Sequence, residues 1–73
     1  LSPILFKNLV MLSILNLNHN YLTYLPDNLF KDLTKLTILN LSNNLIKQLS
    51  KTLFEMLNVL KILDLNKNRI EYL

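Results

Sequence analysis

The chain has 73 residues, 51% of them apolar, with no cysteine or glycine and a net charge of +3 from eight Lys/Arg against five Asp/Glu. That length allows one small domain near the lower limit for an independent core, and the missing cysteine excludes disulfides, thiolate metal sites and cysteine nucleophiles. The basic residues Lys7, Lys31, Lys35, Lys47, Lys51, Lys61, Lys67 and Arg69 are dispersed, short of a nucleic-acid-binding stripe, and no apolar run approaches the ~18 residues that would place this segment in a membrane.

In chain order, residues 1–11, LSPILFKNLVM, come first. They match the back half of the two stretches that follow. Leu12 opens the segment LSILNLNHNYL, Leu36 opens LTILNLSNNLI, and Leu60 opens LKILDLNKNRI, so the pattern L-x-x-L-x-L-x-x-N-x-L/I recurs every 24 residues. The period extends outside these segments, through Leu1, Leu25, Leu49 and Leu73, through Leu5, Leu29 and Leu53, through Phe6, Phe30 and Phe54, and through Leu9, Leu33 and Leu57. A fixed period of this size is the signature of a solenoid. The expected organisation is one array over 1–73: a partial repeat 1–11, repeats 12–35 and 36–59, and a partial repeat 60–73. Because the chain starts and stops at the same point of the repeat, it reads as a piece of a longer array.

Each L-x-x-L-x-L segment ends in strict alternation, the mark of a short half-buried strand. Leu15 and Leu17, Leu39 and Leu41, and Leu63 and Leu65 point inward. The outward columns are Ser13, Thr37, Lys61; then Ile14, Ile38, Ile62; then Asn16, Asn40, Asp64; then Asn18, Ser42, Asn66; then His19, Asn43, Lys67. The strands stack in register as a parallel sheet, since one repeat cannot complete a core alone. The return leg between strands is too short for a long helix and must consist of extended segments, turns or brief 3₁₀ stretches. With no glycine, asparagine is the expected occupant of left-handed turn positions. The column Asn20, Asn44, Asn68 sits where the chain leaves the strand. Each carboxamide offers two donors and an acceptor to backbone groups of its own turn and the next one. Those groups would otherwise be buried unpaired at about 1–3 kcal/mol each. The column Phe6, Phe30, Phe54 is expected to stack as a spine through the back of the core.

These residues resemble the leucine-rich repeat family. The spacing and the F-x-x-L-x-x-L return leg, as in LPDNLFKDLTKL, look like its typical 24-residue extracellular subclass. The resemblance covers the whole chain. Within the family the Asn-, Ile- and Lys-rich, glycine-free repeats are most similar to the ectodomains of Toll and Toll-like receptors. The plant G-x-I-P signature is missing, and so are the cysteine-rich caps of complete ectodomains. Pro26 where the next repeat has Ser50, and Tyr21 and Arg69 where Leu45 stands, read as variations at half-exposed sites. The resemblance implies an α/β solenoid, a right-handed superhelix. It has one short parallel strand per repeat on the concave face and loop or 3₁₀ return legs on the convex face. It implies a non-enzymatic, extracellular role: recognition of a protein ligand or co-receptor by an innate-immune receptor ectodomain, with receptor dimers as one mode. Two other roles remain open. One is as spacer repeats of a matrix, guidance or adhesion protein. The other is nucleic-acid sensing by an endosomal Toll-like receptor, which the dispersed lysines support weakly and which a salt-dependent affinity for polyanions would reveal.

The main candidate site is the outward face of the sheet: Ile14, Asn16, Ile38, Asn40, Ile62 and Asp64. Its three isoleucines form an apolar ridge in a polar field. The competing explanation is that isoleucine simply stabilises a sheet. Asn40-Leu41-Ser42 is an N-x-S acceptor for N-glycosylation in a secreted protein, though L-N-L-S is also a common spelling of the repeat. A glycan on Asn40 would stand beside Ile38 and over Ile14 and Ile62, so this spot is either shielded or free to bind a protein. His19, the single histidine, could sense acid pH or be an exposed turn residue; without partners it makes no metal site. The carboxylates Asp27, Asp32, Glu55, Asp64 and Glu71 lie in different phases of the repeat, so no catalytic set, phosphate loop, metal site or cofactor is expected.

Overall fold

The computed structural model describes residues 2–71. Three parallel strands, β1 (Ile14–Asn16), β2 (Ile38–Asn40) and β3 (Ile62–Asp64), form one sheet in the order β1-β2-β3. Ile14 pairs with Ile38 and Ile38 with Ile62, Leu15 with Leu39 and Leu39 with Leu63, and Asn16 with Asn40 and Asn40 with Asp64. Every partner is one repeat away, so the hydrophobic spacing sets the register: a one-residue slip would turn the leucines out of the core. Pairing continues past the short strands. The Thr37 N–H donates to the Ser13 carbonyl at 2.8 Å, Leu17 to Asn40 at 2.8 Å, Leu41 to Asp64 at 2.9 Å and Leu45 to Leu22 at 2.8 Å.

The return legs are built from isolated turns, and no helix occurs among the described residues. In the central leg Leu29, Lys31, Leu33 and Leu36 donate to the carbonyls of Pro26, Asn28, Phe30 and Leu33. The first leg repeats this set from Leu5 to Leu12 and the third from Leu53 to Leu60. Each bond has the reach of a 3₁₀ turn, but the bonds are not consecutive, so the legs bend around the core and never wind into a helix. Pro26 opens the central leg and is buried, not half-exposed, because its ring needs no hydrogen-bond partner of its own.

Phe30, Leu33, Leu36, Leu39, Leu41 and Ile46 are fully buried; Phe30 and Leu33 are on the central return leg and the others on the central strand segment, each flanked by its counterparts on both sides. Burying each such side chain stabilises the fold by about 1.5–3 kcal/mol. The equivalent position at the end of the stack shows where this burial comes from. Leu39 is 0% exposed and Leu63, facing the same way, is 38% exposed. Neighbouring repeats supply the burial, and the repeat alone does not. Leu25 and Leu49 are buried; Leu1 and Leu73, the other members of that column, lie outside the described residues. The Phe6 and Phe30 rings stack at 6.2 Å and 24°, and Phe30 and Phe54 at 6.3 Å and 12°, within the range of favourable aromatic pairs.

The left-handed positions differ from expectation. Asn8 and Asn43 have positive φ, but so do His19, Tyr21 and Lys67. His19, Asn43 and Lys67 form one column, immediately before Asn20, Asn44 and Asn68. Its N–H groups pair across repeats, His19 with the Ser42 carbonyl and Asn43 with that of Asn66. Lys67 takes the same left-handed turn without such a bond among the described residues, so the turn goes with the position in the repeat, at a local cost of about 1–2 kcal/mol.

Candidate functional site on the open sheet face

The ridge lies on the open side of the sheet. Ile14 and Ile62 are 56% and 54% exposed, with Ile38 half-buried between them. Strands about 4.8 Å apart bring the three side chains into one row. β-branching leaves each few rotamers, so the row is held in a defined shape. Beside it Thr37 donates its hydroxyl to the Ser13 carbonyl at 3.1 Å.

The next column, Asn16, Asn40 and Asp64, does structural work as well. Asn16 Oδ1 accepts the Asn18 N–H at 3.0 Å, Asn40 Oδ1 the Ser42 N–H at 2.9 Å, and Asp64 Oδ1 the Asn66 N–H at 3.0 Å. Each side chain closes an Asx turn as the strand ends. Sequence reading missed this role, although Asn/Asp before a turn was the available signal. The Asn-to-Asp exchange within the column fits it, because only the acceptor oxygen is shared.

Ser42 departs from the expected outward column: it is 5% exposed. Its hydroxyl lies 2.7 Å from Asn40 Oδ1 and 3.2 Å from Asn18 Oδ1, and Asn43 Nδ2 donates to Asn18 Oδ1 at 3.3 Å. Once the strand has ended, the chain curls inward and period-two alternation no longer tells which side a residue faces. Asn18 and Asn43 are half-buried, whereas Asn66, His19 and Lys67 are exposed.

The Asn44 carboxamide is 4% exposed. Its Nδ2 donates to the carbonyls of Leu17, Leu41 and Ser42 at 3.0–3.1 Å, and its Oδ1 accepts from Asn20 and Leu22 at 2.9 and 3.0 Å. Asn68 donates to Leu41, Leu65 and Asn66 and accepts from Ile46. The cross-repeat bonds therefore run to the preceding repeat, not the next one. The weak member is Asn20, whose side chain donates to the Asn18 carbonyl in its own turn; Asn68 keeps its ladder. No buried side-chain polar atom among the described residues lacks a partner.

No group of three or more His, Cys, Asp or Glu residues comes together to hold a metal ion among the described residues. His19 is an exposed turn residue. No described helix is long and apolar enough to cross a membrane.

Comparison with known proteins agrees with this geometry. The leucine rich repeat family model matches residues 1–46 and 11–70. No curated protein matches the chain. Among solved structures, one chain of the Drosophila Toll–Spatzle complex, described as a molecular hub in development and innate immunity, superposes with a TM-score of 0.95 at 38% identity. The match covers 97% of this chain and 9% of that one. Register, return legs, asparagine ladder and sequence match lead to one statement: the chain belongs to the leucine-rich repeat family.

Proposed function

We propose that these repeats are part of an extracellular recognition surface of the Toll type. They bind a secreted protein ligand or co-receptor through the open sheet face and perform no catalysis. One observation carries this reading: an isoleucine row, exposed at both ends, held rigid on a paired sheet whose flanking Asn16, Asn40 and Asp64 each commit Oδ1 to a turn. Apolar anchors of restricted conformation lose little entropy on binding. The likeness to a chain of the Toll–Spatzle complex supports a protein ligand, and makes Spatzle the first one to test.

The test is export followed by binding. The chain should appear in the medium of cells expressing its gene. Its affinity for Spatzle, read by surface plasmon resonance on protein carrying no sugar at Asn40, should fall about 10–100-fold on Ile14→Lys with Ile62→Lys, as for central apolar anchors. Retention inside the cell, or binding indifferent to both changes, would defeat the reading. A steep salt dependence of affinity for polyanions would favour nucleic-acid sensing instead.

A further inference from the structure

The carboxamide of Asn40 is divided in its use. Oδ1 accepts both the Ser42 N–H and the Ser42 hydroxyl. Nδ2 donates to no group among the described residues, and since no buried side-chain nitrogen there is unpaired, Nδ2 faces solvent. Asn40 is half-buried on β2, two residues after Ile38 and on the same side of the sheet, about 6.6 Å along the strand. Asn40-Leu41-Ser42 is the one N-x-S/T sequence in the chain. We propose that Asn40 is an N-glycosylation site filled while the chain is still unfolded, and that its glycan then closes the isoleucine ridge. The proposal rests on the extracellular reading: the sugar-free form alone keeps the ridge open to a partner, and the glycosylated form is shielded there.

The chemistry is a glycosyl transfer. Nδ2 bonds to the anomeric carbon of a lipid-pyrophosphate-linked oligosaccharide. The bond from that carbon to the pyrophosphate oxygen breaks, the lipid pyrophosphate leaves with the electron pair, and one amide proton passes to a base of the transferase. Nothing is oxidised or reduced. The transferase must reach the hydroxyl of the acceptor sequence. In the folded repeat that hydroxyl is committed: Ser42 is 5% exposed and its oxygen lies against Asn40 and Asn18. Transfer therefore precedes folding of β2. The product still folds, because glycosylation uses Nδ2 and leaves Oδ1 free to close the turn. The sugar then projects from the middle strand beside Ile38, between Ile14 and Ile62.

The experiment secretes the chain flanked by capping repeats from cultured eukaryotic cells, in its natural form and as Asn40→Asp. Asp64 shows that aspartate serves in this column, so the variant keeps its turn. By mass spectrometry, the natural peptide containing Asn40 should carry an oligosaccharide, and enzymatic release should leave aspartate in its place. An antibody fragment selected on Asn40→Asp and dependent on Ile14 and Ile62 should bind that form. It should lose binding to the glycosylated chain and regain it after release. Purified oligosaccharyltransferase with its lipid-linked donor should modify the denatured, sugar-free chain and lose that activity on the refolded one. A bare Asn40 on exported protein overturns the site and leaves the extracellular reading standing; a chain that is never exported overturns both. Equal antibody binding to the two forms overturns the closing of the ridge, and transfer to the folded chain overturns the order of events.

Discussion

Replacing Asn44 with leucine tests the asparagine ladder most directly, because it keeps size and removes every polar contact. Five hydrogen bonds disappear, but their loss is unequal. The Leu41 carbonyl keeps the Asn68 side chain and the Ser42 carbonyl keeps the His19 N–H. The Leu17 carbonyl and the Asn20 and Leu22 N–H groups are left without these partners, in part-buried bonds where water gives some relief. At about 1 kcal/mol for each, the low end of the usual penalty, Asn44→Leu costs about 3 kcal/mol. Asn68→Leu deprives the Ile46 N–H and the Leu65 carbonyl and costs about 2 kcal/mol on the same scale. Asn20→Leu removes one exposed bond and stays within about 0.5 kcal/mol, as for ordinary surface changes. Asn40→Ala, which releases Ser42 alone, falls below Asn44→Leu. The assay is urea unfolding of the chain flanked by capping repeats. With a slope of about 1 kcal/mol/M, the Asn44→Leu midpoint drops by roughly 3 M. Equal midpoints for Asn44→Leu and Asn20→Leu would refute a ladder that reaches back to the preceding repeat.

Three further outcomes follow from the same geometry. The isolated chain should aggregate or melt without cooperativity, since Leu63 and the half-buried Leu15, Leu17 and Leu65 have a neighbouring repeat on one side; a sharp calorimetric transition of a monomer would contradict this. Tyr21→Gly should raise the melting temperature of the capped chain, because it relieves a left-handed tyrosine worth about 1 kcal/mol; a lower one would show that the ring stabilises the turn. Asp64→Asn should be nearly neutral and Asp64→Ala should cost about 1 kcal/mol, the value of one Asx-turn bond; equal midpoints for the two would remove the acceptor role.

The solenoid was legible because it depends on spacing. Leucines a constant distance apart can be buried together in one register, so β1, β2 and β3 pair as the period demands, and the stacked Phe6, Phe30 and Phe54 follow from the same arithmetic. The direction of the asparagine bonds was not legible, because a column of identical residues has no sense of before and after. Neither was the burial of Ser42: alternation describes a strand, and the chain at Ser42 has already left it. The left-handed His19, Tyr21 and Lys67 run against local preference, and Leu39 and Leu63 differ in exposure although they share a column. The sequence by itself determined which residues form columns, since periodicity is a property of one chain read along its length. Only the tertiary structure decided what each column member faces, bonds and exposes, because those depend on the neighbouring repeat.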